Sequence, residues 1–394
     1  MATLNETPTA NRLHIAFFGR TNSGKSTLIN TLTGQNISLV SPISGTTTDP
    51  VSKAMELLPI GPVVLIDTAG LDDTSELGPM RIQKSMEVIG KTDLAVLVIP
   101  STQKELALEQ KLIVRFRETK TPVIAVCNLI NNEPPQWQPE VLGIPFLTLD
   151  ARQSDQIAAL KGLIIEHADF DFESPSLCGD LVKAGDTVVL VMPQDIQAPK
   201  GRLILPQVQV TRDLLDLKCR VVSVLTNDLA PMLKLLTTPP ALVITDSQVF
   251  SIVNKVVPPE IPLTSFSILM AKFKGDIHEM VRGARAIASL HSGDKVLIME
   301  ACTHHALKGD IAREKLPSWL NNYAGGGLQI DAFSGTGFPE NIGDYKLVIH
   351  CGGCMLNRKG MLTKIGMAER AGVPMTNFGT AIAFMNGILD RVVY

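Results

Sequence analysis

Short apolar runs alternate with helical segments from Leu13 to about Phe170. The runs LHIAFFG, PVVLIDTAG, LAVLVIP and PVIAVCN have the length and the branched side chains of buried strands, whereas KSTLINTLTG and KELALEQKLIVRFRE have helical periodicity. Strands that alternate with helices are typical of parallel βαβ units. The pattern therefore predicts an α/β domain with a doubly wound, mainly parallel sheet over residues 1–172.

An acidic, turn-rich segment, DFDFESPSLCGD over residues 169–180, interrupts this pattern and indicates a domain boundary. The runs TVVLVMP, RVVSVL, ALVITD and PLTSFSI then predict the strands of a smaller α/β domain over residues 180–265. This domain contains no motif of evident chemistry, so we expect a structural or self-association role. A helical segment near Ala271 and the strands DKVLIME and YKLVIH predict a third α/β domain over residues 266–394.

The composition indicates in which compartment the protein works and which kinds of partner it lacks. The chain has 394 residues, a net charge of −3 and a pI near 6.2, so it lacks the broad basic surface of a nucleic-acid-binding protein. No apolar run approaches the roughly 20 residues that span a bilayer, and the first residues lack the apolar core of a signal peptide. We therefore expect a cytoplasmic protein with no membrane or nucleic-acid partner. Its six cysteines are expected to be thiols, metal ligands or catalysts.

The segment GRTNSGKS, residues 19–26, fits the phosphate-binding pattern G-x-x-x-x-G-K-[ST] and lies between a predicted strand and a predicted helix. The backbone N–H groups of such a loop bind a nucleoside triphosphate, Lys25 adds a charge at the β- and γ-phosphates, and the Ser26 hydroxyl binds Mg²⁺. The candidate nucleotide-binding residues are Gly19, Asn22, Ser23, Gly24, Lys25, Ser26 and Thr27.

Two further segments resemble the switch segments of small GTPases. DTAG, from Asp67 to Gly70, ends a predicted strand and places the Asp67 carboxylate on the Mg²⁺ side of the site. GTTTD, residues 45–49, resembles the segment in which a threonine hydroxyl completes the Mg²⁺ shell, and its pattern assigns that role to Thr47. We therefore predict that Lys25, Thr47, Asp67 and Gly70 are the catalytic residues.

This region resembles the TrmE/Era branch of P-loop GTPases, and the resemblance implies two features of hydrolysis. Asn22 occupies the position at which potassium-activated members bind K⁺. Leu71 follows Gly70 where Ras-like enzymes carry the glutamine that orients the attacking water. We therefore expect slow intrinsic hydrolysis that K⁺ stimulates.

Recognition of the base departs from the usual GTPase pattern. NLIN, residues 128–131, stands where N-K-x-D is expected, and Ala151 stands in the next base-side loop. The missing aspartate would accept from guanine N1–H and N2–H₂, whereas an asparagine offers one acceptor and one donor. GTP remains the expected nucleotide, with Asn128 and Ala151 as base-side candidates, and its selectivity over other bases stays open.

Cysteines and histidines form a second group of candidate residues. Cys302 and His304 follow one predicted strand, and HCGGC, which contains His350, Cys351 and Cys354, follows another after a further 45 residues. Carboxyl ends of parallel strands meet at one edge of a sheet, so the two halves can converge. Three thiolates and one imidazole fit a structural zinc ion or a 4Fe–4S cluster with His304 or His350 as fourth ligand. The spacing of these residues does not distinguish a zinc site or an iron–sulfur cluster from thiols that bind no metal or form a redox-active pair.

A GTPase segment near one end, combined with C-x-H and H-C-x-x-C motifs near the other, resembles the HydF family of FeFe-hydrogenase maturation GTPases. The resemblance implies GTPase, dimerisation and cluster-binding domains in a homodimer, and a 4Fe–4S cluster on Cys302, Cys351 and Cys354. It also implies that the chain carries a diiron precursor, made with the radical-SAM maturases HydE and HydG, and delivers it to the FeFe-hydrogenase apo-protein.

Two other functions fit parts of the sequence. The first is a GTPase for RNA modification or ribosome assembly with a structural zinc site, although the acidic balance and the few aromatic residues disfavour an RNA surface. The second is a redox enzyme that uses Cys351 and Cys354 directly. Cys127, Cys178 and Cys219 have no partner motif and are expected to be buried thiols.

Overall fold

The structure is a computed structural model that describes residues 8–34, 50–168, 176–194, 203–301, 310–335, 337–339 and 341–394. The chain divides into two compact units, Met1–Phe172 and Glu173–Tyr394. In the described residues, the first unit has one sheet and the second has two, and each unit has its own apolar cores. Within the described ranges, no helix is both long enough and apolar enough to cross a bilayer.

The described part of the first unit contains one sheet and four α-helices. Its strands are β1 (Leu13–Phe18), β2 (Val51–Leu57), β3 (Gly61–Asp67), β4 (Leu94–Pro100), β5 (Val123–Asn128) and β6 (Phe146–Leu149). Its helices are α1 (Lys25–Thr33), α2 (Gly78–Ile89), α3 (Ala107–Glu118) and α4 (Ile157–His167). The strand order is β2-β3-β1-β4-β5-β6, and every pair is parallel except β2 with β3.

Alternating side chains along these strands build one core on each face of the sheet. Along β1, Ile15 and Phe17 pack in the core covered by α1 and α4, whereas Ala16 and Phe18 pack in the core covered by α2 and α3. Helices on both faces of a mainly parallel sheet confirm the predicted α/β fold class. The carboxyl ends of the parallel strands share one edge, where ligands bind in sheets of this kind.

The second unit contains two four-stranded parallel sheets in its described part. The strands of the first are β7 (Thr187–Val191), β8 (Arg220–Val224), β9 (Leu242–Thr245) and β10 (Leu263–Ser265), in the order β10-β9-β7-β8. The helices of this region are α5 (Leu205–Asp216), α6 (Leu229–Leu235), α7 (Phe250–Val256) and α8 (Phe266–Lys274).

The strands of the second sheet follow in chain order with their own helices. They are β11 (Lys295–Glu300), β12 (Gln329–Ser334), β13 (Leu347–His350) and β14 (Met375–Asn377), in the order β12-β11-β13-β14. The helices are α9 (Ile277–Arg285), α10 (Leu316–Tyr323), α11 (Arg358–Arg370) and α12 (Phe378–Met385). The prediction of further α/β structure after the first unit is thus confirmed.

Helix α8 corrects one prediction. The run PLTSFSI was predicted to be a strand, but the strand ends at Ser265, whose hydroxyl accepts from the Ile268 N–H at 3.2 Å and caps a helix. Phe266 packs in a core on the β7 sheet, whereas Ala271 packs in a core to which strands of both the β7 and the β11 sheets contribute. Helix α8 thus contributes to both cores, and the predicted division between residues 265 and 266 stays a prediction.

Candidate functional site

The phosphate-binding segment, residues 19–26, connects β1 to α1 at the carboxyl edge of the first sheet. Lys25 is buried at the start of α1, and its Nζ donates to the carbonyls of Gly19 at 3.2 Å and Arg20 at 2.7 Å. Burial lowers the pKa of Lys25, and the nearby Asp67 carboxylate opposes that shift. The loop therefore holds a lysine ammonium at the point where phosphate charge is expected.

Ser26 and Asp67 bring two hard oxygen ligands together. The Ser26 hydroxyl donates to Asp67 Oδ2 at 2.5 Å. Asp67 Oδ1 is buried, and it has no hydrogen-bond partner among the described residues. Burial raises the pKa of Asp67, whereas the Ser26 hydrogen bond and the Lys25 charge lower it. An orphaned carboxylate oxygen beside a hydroxyl fits the oxygen coordination that Mg²⁺ requires.

Asn128 links two loops of the predicted nucleotide site. This buried side chain lies at the end of β5, and its Nδ2 donates to the Ser23 carbonyl at 3.0 Å. Its Oδ1 accepts from the Ala151 N–H at 2.9 Å. Asn131, by contrast, is exposed in a turn with φ +54°. The structure thus brings Ser23, Asn128 and Ala151 together and leaves Asn131 at the surface.

The other predicted residues of the nucleotide site differ in their burial and contacts. Gly70 packs so closely on the phosphate-binding loop that a Cβ there would lie 2.1 Å from Thr21 Oγ1. Leu71 is buried in the apolar core and is not available to orient water. Thr27 is exposed on α1, and Thr47 lies outside the described residues.

Sequence reasoning missed two contacts that hold the phosphate-binding loop. Asp72 Oδ1 accepts from the Thr21 N–H at 2.6 Å, and the Arg20 Nε donates to Glu109 Oε1 at 2.8 Å. Glu109 is 1% exposed on α3, and its hydrogen bond is the main cause of the raised pKa of Arg20. Asp72 is the second residue after DTAG and could have been considered, whereas Glu109, the partner of Arg20, is distant in sequence.

The second candidate site lies at the carboxyl end of β13. Cys351 and Cys354 follow this strand in a loop that leads into α11, and both are partly exposed. The Ala301 N–H donates to Cys351 Sγ at 3.2 Å. Gly353 has φ +62°, and a Cβ at this position would lie 2.4 Å from Met361 Cε. This loop conformation therefore favours glycine at residue 353.

Cys302 and His304 lie outside the described residues. Ala301, which directly precedes Cys302, is the first residue after β11, and β11 pairs in parallel with β13. The contact from Ala301 to Cys351 therefore joins the two strand ends that carry the two halves of the predicted site. In the part of the chain that the structure describes, no group of three or more His, Cys, Asp or Glu side chains is arranged to hold a metal ion.

His350 is fully buried, and its Nδ1 lies 2.8 Å from the Cys351 carbonyl oxygen. Burial and the positive charge of Lys364 lower the pKa of His350 to about 4. Because a carbonyl only accepts, Nδ1 carries the proton of the neutral ring and Nε2 keeps a lone pair. Nε2 is buried without a hydrogen-bond partner among the described residues.

The possible metal ligands of this loop fit the metal centre that the sequence predicts, a zinc ion or an iron–sulfur cluster. Burial raises the pKa of Cys351 to about 11, whereas the N–H groups of Ala301 and Gly353 lower it. N–H groups directed at sulfur, together with an imidazole lone pair, suit thiolate ligation of zinc or of an iron–sulfur cluster. By contrast, the thiols of Cys127, Cys178 and Cys219 are buried in the apolar cores.

The first sheet, its phosphate-binding loop and the Ser26–Asp67 pair define a P-loop GTPase domain. Residues 14–129 match the family model for the 50S ribosome-binding GTPase. Residues 177–275 match the hydrogen maturase F dimerization domain, and residues 278–394 match the hydrogen maturase F tetramerization domain. The chain belongs to the hydrogen maturase F family, so the resemblance to HydF is confirmed.

Curated relatives match the region of the GTPase domain. The tRNA modification GTPase MnmE of Chromobacterium violaceum is 32% identical over 156 residues, which are 39% of this chain and 34% of that protein. GTPase Der of Mycoplasmopsis pulmonis is 29% identical over 169 residues, which are 39% of each chain. The chain therefore spans less than two fifths of the length of these two relatives.

Solved structures of G proteins are also similar to this chain. The G domain of the T. maritima FeoB iron transporter is 25% identical with a TM-score of 0.32, and the match covers 40% of this chain and all of that one. Era of Aquifex aeolicus, bound to GDP.AlF4⁻, is 17% identical with a TM-score of 0.33, and the match covers 54% of this chain and 92% of that one.

Proposed function

We propose that the protein is a GTP-hydrolysing scaffold for the maturation of FeFe-hydrogenase. It holds a 4Fe–4S cluster at Cys302, Cys351 and Cys354, carries the diiron precursor made with HydE and HydG, and delivers that precursor to the apo-hydrogenase. The observation that carries this proposal is the presence of two hydrogen maturase F domains behind a GTPase domain in one chain.

The cysteine loop supports the cluster assignment. Cys351 accepts a hydrogen bond from the Ala301 N–H, which is the kind of interaction that tunes cluster thiolates. His350 Nε2 offers a buried lone pair for the fourth iron, and His304 is the alternative donor. The three thiolates would hold the cluster, which supplies redox-active iron when it is bound.

The residues of the first unit would divide the work of GTP hydrolysis. Backbone N–H groups of the phosphate-binding loop bind the phosphates, Lys25 neutralises charge on them, and Ser26 and Asp67 bind Mg²⁺. Leu71 is buried at the position that would otherwise orient the attacking water. Intrinsic hydrolysis is therefore slow and needs other assistance.

Asn22 and Thr47 would provide that assistance. Asn22 would bind K⁺, and its exposure in the phosphate-binding loop with φ +59° is compatible with this role. The Thr47 hydroxyl completes the Mg²⁺ shell. A K⁺ ion held by Asn22 would supply additional positive charge at the phosphates.

The second unit would mediate self-association. The family models that match it describe a dimerization domain and a tetramerization domain, and this supports the expected homodimer as the basic assembly. The proposed place of action is the cytoplasm, where cysteine thiols stay reduced and available for cluster binding.

Activation of hydrogenase in a defined anaerobic mixture tests the proposed function. Wild-type protein incubated with HydE, HydG and their substrates is expected to activate the apo-hydrogenase. Cys351→Ser loses the cluster and fails to activate it, while it still binds GTP. Cys219→Ser is the matched control, since that thiol lies in the core of the other sheet of the second unit. If Cys351→Ser activated the apo-hydrogenase as well as the wild-type protein does, the proposed carrier site would be ruled out.

A further inference from the structure

A buried lysine holds the loop that carries Cys351 and Cys354. Lys274 is the last residue of α8 and is 1% exposed. Its Nζ donates to the carbonyls of Gly353 at 3.2 Å, Cys354 at 3.0 Å and Leu356 at 2.7 Å. A lysine ammonium has three N–H donors, so all three are satisfied by one short stretch of this loop.

A second buried lysine lies on α11, the helix into which the cysteine loop leads. Lys364 is 4% exposed, and its Nζ donates to the Gly337 carbonyl at 2.6 Å. It also lies 5.1 Å from the centre of the Phe338 ring. This lysine is on the helix that follows the cysteine loop, whereas Lys274 is on a helix that precedes the second sheet. Lys274 therefore contacts the cysteine loop directly, whereas Lys364 is held beside residues 337 and 338 on the helix that follows this loop.

These two charges lack a carboxylate partner among the described residues that would explain their burial. Burial lowers the pKa of Lys274 to about 8, whereas thiolates at Cys354 and Cys351 raise it. The same balance holds for Lys364, for which the opposing group is Cys351. Carbonyl groups satisfy the N–H donors but do not neutralise a cation, and a buried cation is costly without an anion. Ligand thiolates would supply the missing anions, at Cys351 and Cys354 for Lys274 and at Cys351 for Lys364.

We propose that Lys274 and Lys364 form a cationic cradle that positions the cysteine loop and sets the reduction potential of the cluster bound there. This inference rests on the proposed function, because it requires a cluster on Cys351 and Cys354. Thiolate ligation makes the cluster site anionic, and reduction adds further negative charge. A nearby cation therefore stabilises the reduced form more than the oxidised form and raises the potential. Lys274 also fixes the loop directly, so it has a second role as a positioning residue.

Redox titration followed by EPR, on the anaerobically reconstituted full-length protein, tests the cradle. Lys274→Met and Lys364→Met each remove one buried charge and keep an apolar stem of similar length. Both variants are expected to shift the midpoint potential of the cluster to more negative values. Lys272→Met is the matched control, since it removes the same charge from the surface of α8, where Lys272 pairs with Asp180. Its potential should equal that of the wild type.

Iron release to a chelator separates the two roles. Lys274→Met loses three hydrogen bonds to the loop, so its cluster should be released faster by on the order of tenfold or more. Lys364→Met leaves those bonds intact, so its release should stay closer to that of the wild type while its potential still shifts.

Unchanged potentials in both buried-lysine variants would overturn the cradle. If Lys274→Met does not fold, as judged by the loss of cooperative unfolding, Lys364→Met alone decides the electrostatic role. If the wild-type protein itself binds no iron, the proposed function fails. This outcome differs from one in which the wild type binds a cluster but both lysine variants have its midpoint potential, which refutes only the cradle.

Discussion

The Asn128 side chain is the contact in the nucleotide site whose removal is easiest to evaluate. Asn128→Ala deletes the donor to the Ser23 carbonyl and the acceptor for the Ala151 N–H, at 3.0 and 2.9 Å. Both bonds are buried, and Ala151 is itself only 1% exposed. The substitution therefore disconnects the phosphate-binding loop from the base-side loop without changing any group expected to contact phosphate.

The size of the effect follows from the groups left behind. A typical hydrogen bond contributes about 0.5–1.5 kcal/mol, and a buried donor left unsatisfied costs about 1–3 kcal/mol. The Ala151 N–H becomes such a donor, and the two loops must be ordered by the nucleotide instead of by Asn128. We expect GTP and GDP affinity to fall by about 10- to 100-fold, since each 1.4 kcal/mol is about a factor of ten.

Equilibrium titration with a fluorescent guanine nucleotide measures this loss. Asn11→Ala is the control, because it makes the same chemical change at an exposed residue of the same unit. Asn128→Asp keeps an acceptor for the Ala151 N–H but lacks the donor for Ser23, so its affinity should fall between wild type and Asn128→Ala. Affinity of Asn128→Ala within twofold of wild type, or an equal loss in Asn11→Ala, would refute the reasoning.

Three further predictions concern both units. Lys25→Ala should abolish GTP hydrolysis, measured as phosphate release, and leave the iron content unchanged; joint loss of both would contradict independent sites. Gly353→Ala should destabilise the second unit by about 1–2 kcal/mol in thermal unfolding, because φ is +62° and its Cβ would meet Met361. Gly352→Ala, where an added Cβ has room, is its control, and equal stability of the two variants would contradict the steric reading. Asn131→Asp should raise the affinity for GTP relative to ITP by about tenfold, since a carboxylate accepts from the guanine amino group; an unchanged ratio would place the base elsewhere.

The parts of the fold that sequence patterns predict well are the buried ones. Strands β1, β4 and β5 are continuous apolar runs, and the phosphate-binding pattern lies between β1 and α1 as expected. The edge strands β2 and β12 escaped prediction because their side chains are largely exposed and give only a weak apolar signal. In the run that became α8, strand and helix have similar apolar composition, and the Ser265 cap decided between them.

Of the site residues, those that belong to a local sequence motif could be predicted, and those that depend on tertiary packing could not. Motif spacing identifies Lys25, Asp67 and the Cys351–Cys354 pair because their chemistry depends on local sequence. Lys274 and Lys364 could not be predicted, since a lysine in a helix normally implies solvent and only the tertiary fold buries these two.

Metal analysis combined with EPR of the anaerobically purified, reduced protein tests the central claim most directly. A cluster on Cys302, Cys351 and Cys354 predicts about four iron and four sulfide per chain, with an EPR signal that Cys354→Ser abolishes. Stoichiometric zinc without iron, or iron that survives in Cys354→Ser, would contradict a cluster bound at this loop.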